Sequence, residues 1–279
     1  MIEKRKNSIT IFIPVSILSD VPSLVEKTFK VGQIARAASI FRADSIVIYK
    51  EGQASNREDA FLIRDLLNYV ETPQYLRKKL FPLSESLKYA GMLPPLRTPH
   101  HPLEHTKIDC REGFVLRSDD RGSLVDVGLR NPVSTPSKLP VNRRVTLKLV
   151  NGTWHQSSKS EVPYYWGYSV SLEFKGLTQL LESSKFDCII ATSRIGRPLQ
   201  SAAEDIRECL GEGKETAVLF GSPAEGLHEI LEREGTAIED LADIIINMAP
   251  DQGTATIRTE EAVMISLAAM ASLEATAKR

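Results

Sequence analysis

Three stretches in the last third of the chain combine ligand-holding residue types with a telling position. They are Thr192-Ser193-Arg194-Ile195-Gly196, Gly221-Ser222-Pro223-Ala224-Glu225-Gly226, and the run from Asn247 to Arg258. Each follows a short apolar run: CIIAT (188–192), AVLF (217–220) and IIIN (244–247). Runs of this kind suit central parallel strands buried on both faces. In an open parallel sheet, ligands collect beyond the carboxyl ends of the strands, where these three stretches would lie. Gly221 and Gly226 bracket a strand-to-helix turn, where bare backbone N–H groups can approach a ligand closely; a compact turn reads the same way. The third stretch puts eleven residues (248–258) between a strand and a helix opened by Thr259, Glu260 and Glu261. That exceeds the roughly 2–6 residues usual for such a link, so it reads as a ligand loop, with a plain connector as the alternative.

Other chemistries lack their residues. No G-x-G-x-x-G follows a strand, and neither GxxxxGK[ST] nor G-x-S-x-G occurs, which argues against dinucleotide, P-loop and serine-hydrolase chemistry. Cys110, Cys188 and Cys209 form no CxxC pair, so neither a zinc knuckle nor a disulfide framework is expected, and a reducing, cytoplasmic compartment fits. His100, His101 and His105 lie among prolines that break i,i+4 geometry; a loop or RNA contact is preferred to a metal, and no metal is expected.

The elements that must position these loops alternate. ITIFIPV (9–15), a helical pattern over 23–41 and SIVIYK (45–50) read as a βαβ unit, followed by helices over 57–69 and from Pro73. From about Leu93 the chain turns Pro-rich and then offers short alternating runs at 113–116, 123–127, 145–150 and 168–174, as in a small β-barrel or sandwich. After Lys175 the α/β rhythm returns, with helices over 199–210, 224–233 and from Thr259. No run approaches eighteen apolar residues, so no membrane partner is expected.

With 42% apolar residues and a formal charge of −1, the chain can bury a real core and is no bulk polycation. Residues 93–175 nevertheless carry twelve Lys/Arg against eight Asp/Glu, so any basic face lies in the middle. Trp154, Lys159, Tyr164, Tyr165, Trp166 and Tyr168 sit there too. They could stack on unpaired bases or fill a barrel core.

Four segments carry a resemblance: QIARAASIFRADSIVIY (33–49), PPLRTPHHP (94–102), VLFGSPAEGL (218–227) and NMAPDQGTATIRTEEAVMISLA (247–268). Through them the chain resembles the SPOUT class of RNA methyltransferases, in the branch of RNA uridine N3-methyltransferases shared by archaea and eukaryotes. The likeness spans nearly the whole chain, and its last segment is the most specific. It implies an α/β fold with a knotted parallel sheet, a trefoil knot near the C-terminus, made by residues 1–94 and 174–279. An OB-like β-barrel, residues 95–173, would be inserted in it as an RNA-binding domain. It also implies S-adenosyl-L-methionine as cofactor, an rRNA or tRNA substrate, and a homodimer. Carried over residue by residue, the cofactor contacts would be Thr192 and Arg194, then Gly221, Glu225 and Gly226, then Asn247, Pro250, Gln252 and Thr256. The final helix, with Met264, Leu267, Met270 and Leu273 on one stripe, would suit dimer packing or the domain's own core equally.

Methylating a uridine N3 requires alignment of donor and acceptor and removal of a weakly acidic proton. Arg36 and Arg194 are the candidates for holding RNA phosphate or stabilising the resulting anion, since arginine stays protonated. Glu225 is the candidate base, or a helix cap. The alternative function is an RNA-binding ribosome-biogenesis factor on an inactive knotted scaffold.

Overall fold

Alternating β-branched and amphipathic segments build a six-stranded parallel sheet in the computed structural model, which describes residues 2–52 and 56–276. Strand β1 (Ser8–Pro14) is buried almost end to end. Helix α1 (Leu24–Ile40) starts at a capping box in which Ser23 and Glu26 satisfy each other's backbone N–H groups. Strand β2 (Ser45–Tyr49) follows, then α2 (Arg57–Glu71), capped by Asn56, and α3 (Gln74–Leu80) directly after Pro73.

The middle of the chain forms β3 (Cys110–Asp119), β4 (Gly122–Asp126), β5 (Val133–Thr135), β6 (Arg144–Val150) and β7 (Thr153–Ser157). The chain then re-enters the first sheet through β8 (Ser169–Glu173) and α4 (Leu177–Glu182). It continues as β9 (Cys188–Pro198), α5 (Ala203–Cys209), β10 (Glu215–Leu219), α6 (Leu227–Arg233), α7 (Ile238–Leu241), β11 (Ile244–Asn247) and α8 (Thr259–Thr276).

The parallel sheet runs β11-β9-β10-β1-β2-β8. One face packs on α1, α2, α5 and α8, the other on α4, α6 and α7. Burial of both faces explains why its central strands read as unbroken apolar runs. Leu267 and Met270 are fully buried, and Met264 and Leu273 pack partly buried on the same cluster, so the stripe on α8 serves the domain's own core.

The second sheet is antiparallel, in the order β5-β4-β3-β6-β7. It curls until β5 and β7 approach each other, but no ladder closes them, so it is a half-barrel rather than the expected barrel. The run at 168–174, expected in the insert, is β8 and pairs in parallel with β2. Its alternation reflects an edge strand rather than a barrel wall.

A buried polar cluster joins the two sheets. Arg144 on β6 donates to both Glu71 carboxylate oxygens (2.6 and 3.1 Å) and to Glu112 (2.5 Å). Glu112 also accepts from Thr146 and the Trp166 indole. Burial pushes the Glu71 carboxyl up, but Arg144, Lys159 and His100 outweigh it and hold it well below the usual range. His100 is 0% exposed, with Nε2 2.8 Å from the Glu71 carbonyl, and His101 contacts that carbonyl at 2.6 Å. These two histidines lie in the loop before β3, as expected, but they turn inward onto Glu71, His100 fully and His101 partly buried, rather than presenting an RNA contact. Burial and His100 lower His101 to about 3.

The aromatics of the 164–168 run belong to the same junction. Tyr165 donates to the Ala43 carbonyl and Tyr168 to the Leu67 carbonyl, both rings buried, so neither is available to stack on a base.

Cys188 and Cys209 form a disulfide, Cα–Cα 5.4 Å, where no disulfide framework was expected. The start of β9 and the end of α5 meet only because α5 folds back on the sheet, which spacing could not reveal. Cys110 stays free and buried, its thiol pushed up to about 11 by burial first and Asp109 next. Among the described residues, no helix is long and apolar enough to cross a membrane.

Candidate active site

The edge strand β11 pairs with β9 in two separate stretches. Ile244 and Ile245 lie opposite Ile190 and Ala191, while Ile246 and Asn247 lie opposite Arg197 and Pro198. Residues 192–196 therefore bulge out of the ladder toward the carboxyl end of the sheet. Gly196 makes this possible: a Cβ there would stand 2.6 Å from the backbone N and C of Ile246.

The bulge is tied to its neighbours at several points. Thr192 donates its hydroxyl to the Leu219 carbonyl (2.8 Å). Asn247 donates to the Arg194 carbonyl (2.8 Å) and accepts from the Ala249 N–H (3.0 Å). The Arg194 guanidinium reaches the Ala255 carbonyl at 3.3 Å. After β10, Ser222 and Glu225 exchange backbone and hydroxyl hydrogen bonds that close the turn. A Cβ on Gly221 would lie 3.0 Å from the Glu225 carbonyl oxygen, so this turn needs a bare backbone. Thr259, opening α8, donates to the Gly221 carbonyl at 3.2 Å.

These loops enclose a cavity of about 380 Å³. Phe220, Leu227, Ile246, Met248, Ala262 and Ile265 supply apolar lining. Ser266, 1% exposed, also lines it, and its hydroxyl has no protein partner. A buried hydroxyl without a partner is rare, so a ligand atom is the natural mate. A cleft of this size, in which apolar side chains and convergent polar groups share the lining, can hold a small molecule.

Of the residues expected from sequence, Thr192, Arg194, Gly221, Glu225, Gly226, Asn247, Gln252 and Thr256 line this cavity. Pro250 is not among the lining residues, nor is Arg36, which lies on α1 with its guanidinium 3.3 Å from the Pro95 carbonyl. The Glu225 carboxylate is held by Arg233 at 2.5 and 2.7 Å, and that hydrogen bond raises the Arg233 pKa.

Sequence reading missed Ser193 and His228, whose Oγ and Nδ1 lie 3.5 Å apart in the cavity wall. His228 stands two residues after Gly226, and that position in the first turn of α6 was the available signal. Ser266 gave none, because a serine inside an apolar helix reads as filler. Among the described residues, no group of three His, Cys, Asp or Glu is placed to hold a metal ion.

Residues 8–270 match the family described as "Putative RNA methyltransferase". The chain belongs to this family. Among relatives of this RNA methyltransferase, the human 28S rRNA (uridine-N(3))-methyltransferase is 34% identical over 95% of this chain and 78% of its own length. An uncharacterised protein of Halobacterium salinarum is 31% identical over 95% of this chain and 99% of its own. Among solved structures, the SpoU methyltransferase AviRb from Streptomyces viridochromogenes, in complex with AdoMet, covers 98% of this chain and 60% of that one. Its TM-score is 0.40 at 10% identity, too distant to support a statement about the site. Within this RNA methyltransferase, the stretches 218–227 and 247–268 that suggested the family from sequence supply two of the three walls of the cavity.

Proposed function

We propose that the protein transfers the methyl group of S-adenosyl-L-methionine to a base in ribosomal RNA, at N3 of a uridine. The observation that carries this reading is the cavity at the carboxyl ends of β9, β10 and β11, in a chain of an RNA methyltransferase family. The 28S rRNA uridine-N3 activity named for the human relative supports the choice of substrate. The residues present suit the cofactor. The apolar lining can pack against a nucleoside, the bare backbone at Gly221 admits close approach, and the Ser266 hydroxyl awaits a polar atom.

When bound, S-adenosyl-L-methionine supplies an already electrophilic methyl group on a sulfonium. The chain must then align the acceptor nitrogen and manage its proton. Thr192, Asn247, Gln252 and Thr256 fix the loops around the cofactor. Arg194, at the rim, stabilises negative charge developing on the uracil ring. Glu225 can accept the N3 proton only when its pair with Arg233 opens; His228, in the same wall, is the second candidate. Arg36 and Pro250 act from outside the cavity, Arg36 on an RNA phosphate.

The finer architecture belongs to this reading. The segment after β11 passes through the loop that follows β9, giving the trefoil knot, and residues 1–94 together with the chain from β8 onward (169–279) make this domain with a homodimeric partner. The curled sheet within 95–173 is the OB-like RNA-holding module. The enzyme works in the cytoplasm, where burial shelters the Cys188–Cys209 bond from thiols.

Calorimetric titration with S-adenosyl-L-methionine tests the site, with Gly226→Arg as the blocked variant. Binding by the native protein that the variant loses supports the enzyme. A folded protein that binds RNA but not the cofactor sinks it and leaves the biogenesis factor. Because an N3 methyl blocks the Watson–Crick edge, reverse-transcriptase arrest on treated rRNA would locate the product.

A further inference from the structure

Beside β8, the opposite edge of the sheet from β11 and at the same end, two large aromatic rings are left in solvent. Phe61 on α2 is 40% exposed and Phe174, just after β8, is 46% exposed. Their rings meet edge to face, with centroids 6.1 Å apart. A guanidinium lies over each: Arg57 at 5.5 Å from the Phe174 centroid and Arg64 at 4.8 Å from that of Phe61. Lys50 and Lys175 adjoin them, joined by a backbone hydrogen bond between the strand ends. Of the acidic neighbours, Asp65 is taken up by Arg64 and Asp59 by Lys27, while the Glu173 carboxylate accepts from Ser171. Glu58 stands at the start of α2.

Glu225 in the cavity wall holds Arg233, whose guanidinium carbon would stand 3.5 Å from a Cβ on Gly52, in the loop that leaves β2 toward α2. Three inter-strand steps from β10 to β8 put the aromatic pair about 14 Å from the cavity. That is the span of a few nucleotides of extended single strand.

We propose that Phe61 and Phe174, with Arg57 and Arg64, form a stacking platform for an unpaired base of the RNA strand flanking the methylated nucleotide. This rests on the proposed RNA substrate. Exposed aromatic faces bind bases of any identity by stacking, and adjacent guanidinium groups contribute to the stack and meet the phosphates. Arg64 is already paired with Asp65, but a purely apolar partner would leave Arg57, which has no carboxylate partner among the described residues, without a counter-charge, whereas an RNA strand supplies one at each nucleotide. The platform favours unpaired strands, because the faces of paired bases are covered in a duplex.

The test is fluorescence anisotropy with a labelled twelve-nucleotide mixed-sequence single-stranded RNA and the same sequence as a duplex, alongside calorimetry with S-adenosyl-L-methionine. The full chain is compared with F61A/F174A and F61Y/F174Y. We expect the alanine pair to weaken single-strand binding at least tenfold and duplex binding far less. The tyrosine pair should keep the affinity within about threefold, and cofactor binding should be unchanged in both. Single-strand affinity indifferent to the alanine pair, or no single-strand binding by the native chain, overturns the platform. If cofactor binding persists in that case, the enzyme reading stands and the aromatic pair becomes a protein contact. A native chain that binds no cofactor but loses RNA in F61A/F174A would sink the enzyme reading and leave the platform standing.

Discussion

Arg144 on β6 reaches across to Glu71 at the end of α2, with Nη1 2.6 Å from the carboxylate, so a buried ion pair ties the antiparallel sheet to the parallel domain. Both partners are largely buried, and each satisfies the other in a place water does not fill. Removing Glu71 leaves Arg144 only Glu112 as a counter-charge, and removing Arg144 leaves the buried Glu71 only Lys159 and His100, so each loss is bounded by the about 3–5 kcal/mol that breaking a buried pair costs. Glu71→Ala and Arg144→Ala should each lower the denaturation midpoint sharply, and the double variant should cost less than their sum. Urea unfolding of the three proteins measures this; additive losses would show that the pair is not coupled.

Acid should loosen the same junction. His101 is lowered to about 3 in the folded chain, so between its ordinary value near 6.5 and about 3 the unfolded chain binds the proton that the folded chain refuses. Its contribution is complete above about pH 6.5 and falls by up to about 1.4 kcal/mol per pH unit below it. Glu71, held below the usual carboxyl range, adds a further loss once the pH drops below about 4.5. Stability measured from pH 7 to 4 should fall less steeply in His101→Asn than in the native chain, and an unchanged slope would exclude His101 as the source.

Gly196→Ala should damage the site through the backbone. The added carbon would lie 2.6 Å from Ile246 main-chain atoms, with no flexible side chain to yield, so β11 must shift away from the bulge. Overpacking of this kind costs about 1–3 kcal/mol. Cofactor affinity should fall at least tenfold, as calorimetry would read; retained affinity would mean that the bulge is not part of the binding loop.

The Cys188–Cys209 disulfide spans 21 residues and encloses the site bulge. Closing a loop of that size is worth about 3 kcal/mol through the unfolded chain. Cys188→Ala/Cys209→Ala should therefore unfold at lower urea yet bind the cofactor with near-native affinity once folded, because neither sulfur lines the cavity. Equal stability of the native and double-alanine proteins would show that the bond is not formed in solution.

Much of the frame was legible because it depends on local pattern. The runs at 188–192, 217–220 and 244–247 became β9, β10 and β11, and the eleven-residue stretch between β11 and α8 became a wall of the cavity. Burial of both faces makes such strands uniformly apolar, and glycine marks turns that need bare backbone. Tyr165, Trp166, Tyr168, His100 and His101 were illegible for the opposite reason. An aromatic or imidazole side chain has the same sequence appearance on an RNA-binding surface as in a polar core.

The sequence by itself determined the α/β order, the three loops that wall the cavity and the family. Local propensity, strand burial and loop length are properties of consecutive residues. Only the tertiary structure decided that β8 joins the parallel sheet, that the half-barrel stays open, that Cys188 meets Cys209, and that Arg36 lies outside the cavity. Each of these depends on which distant segments come into contact. That is set by the packing of whole helices and sheets, which the period of a local pattern does not record.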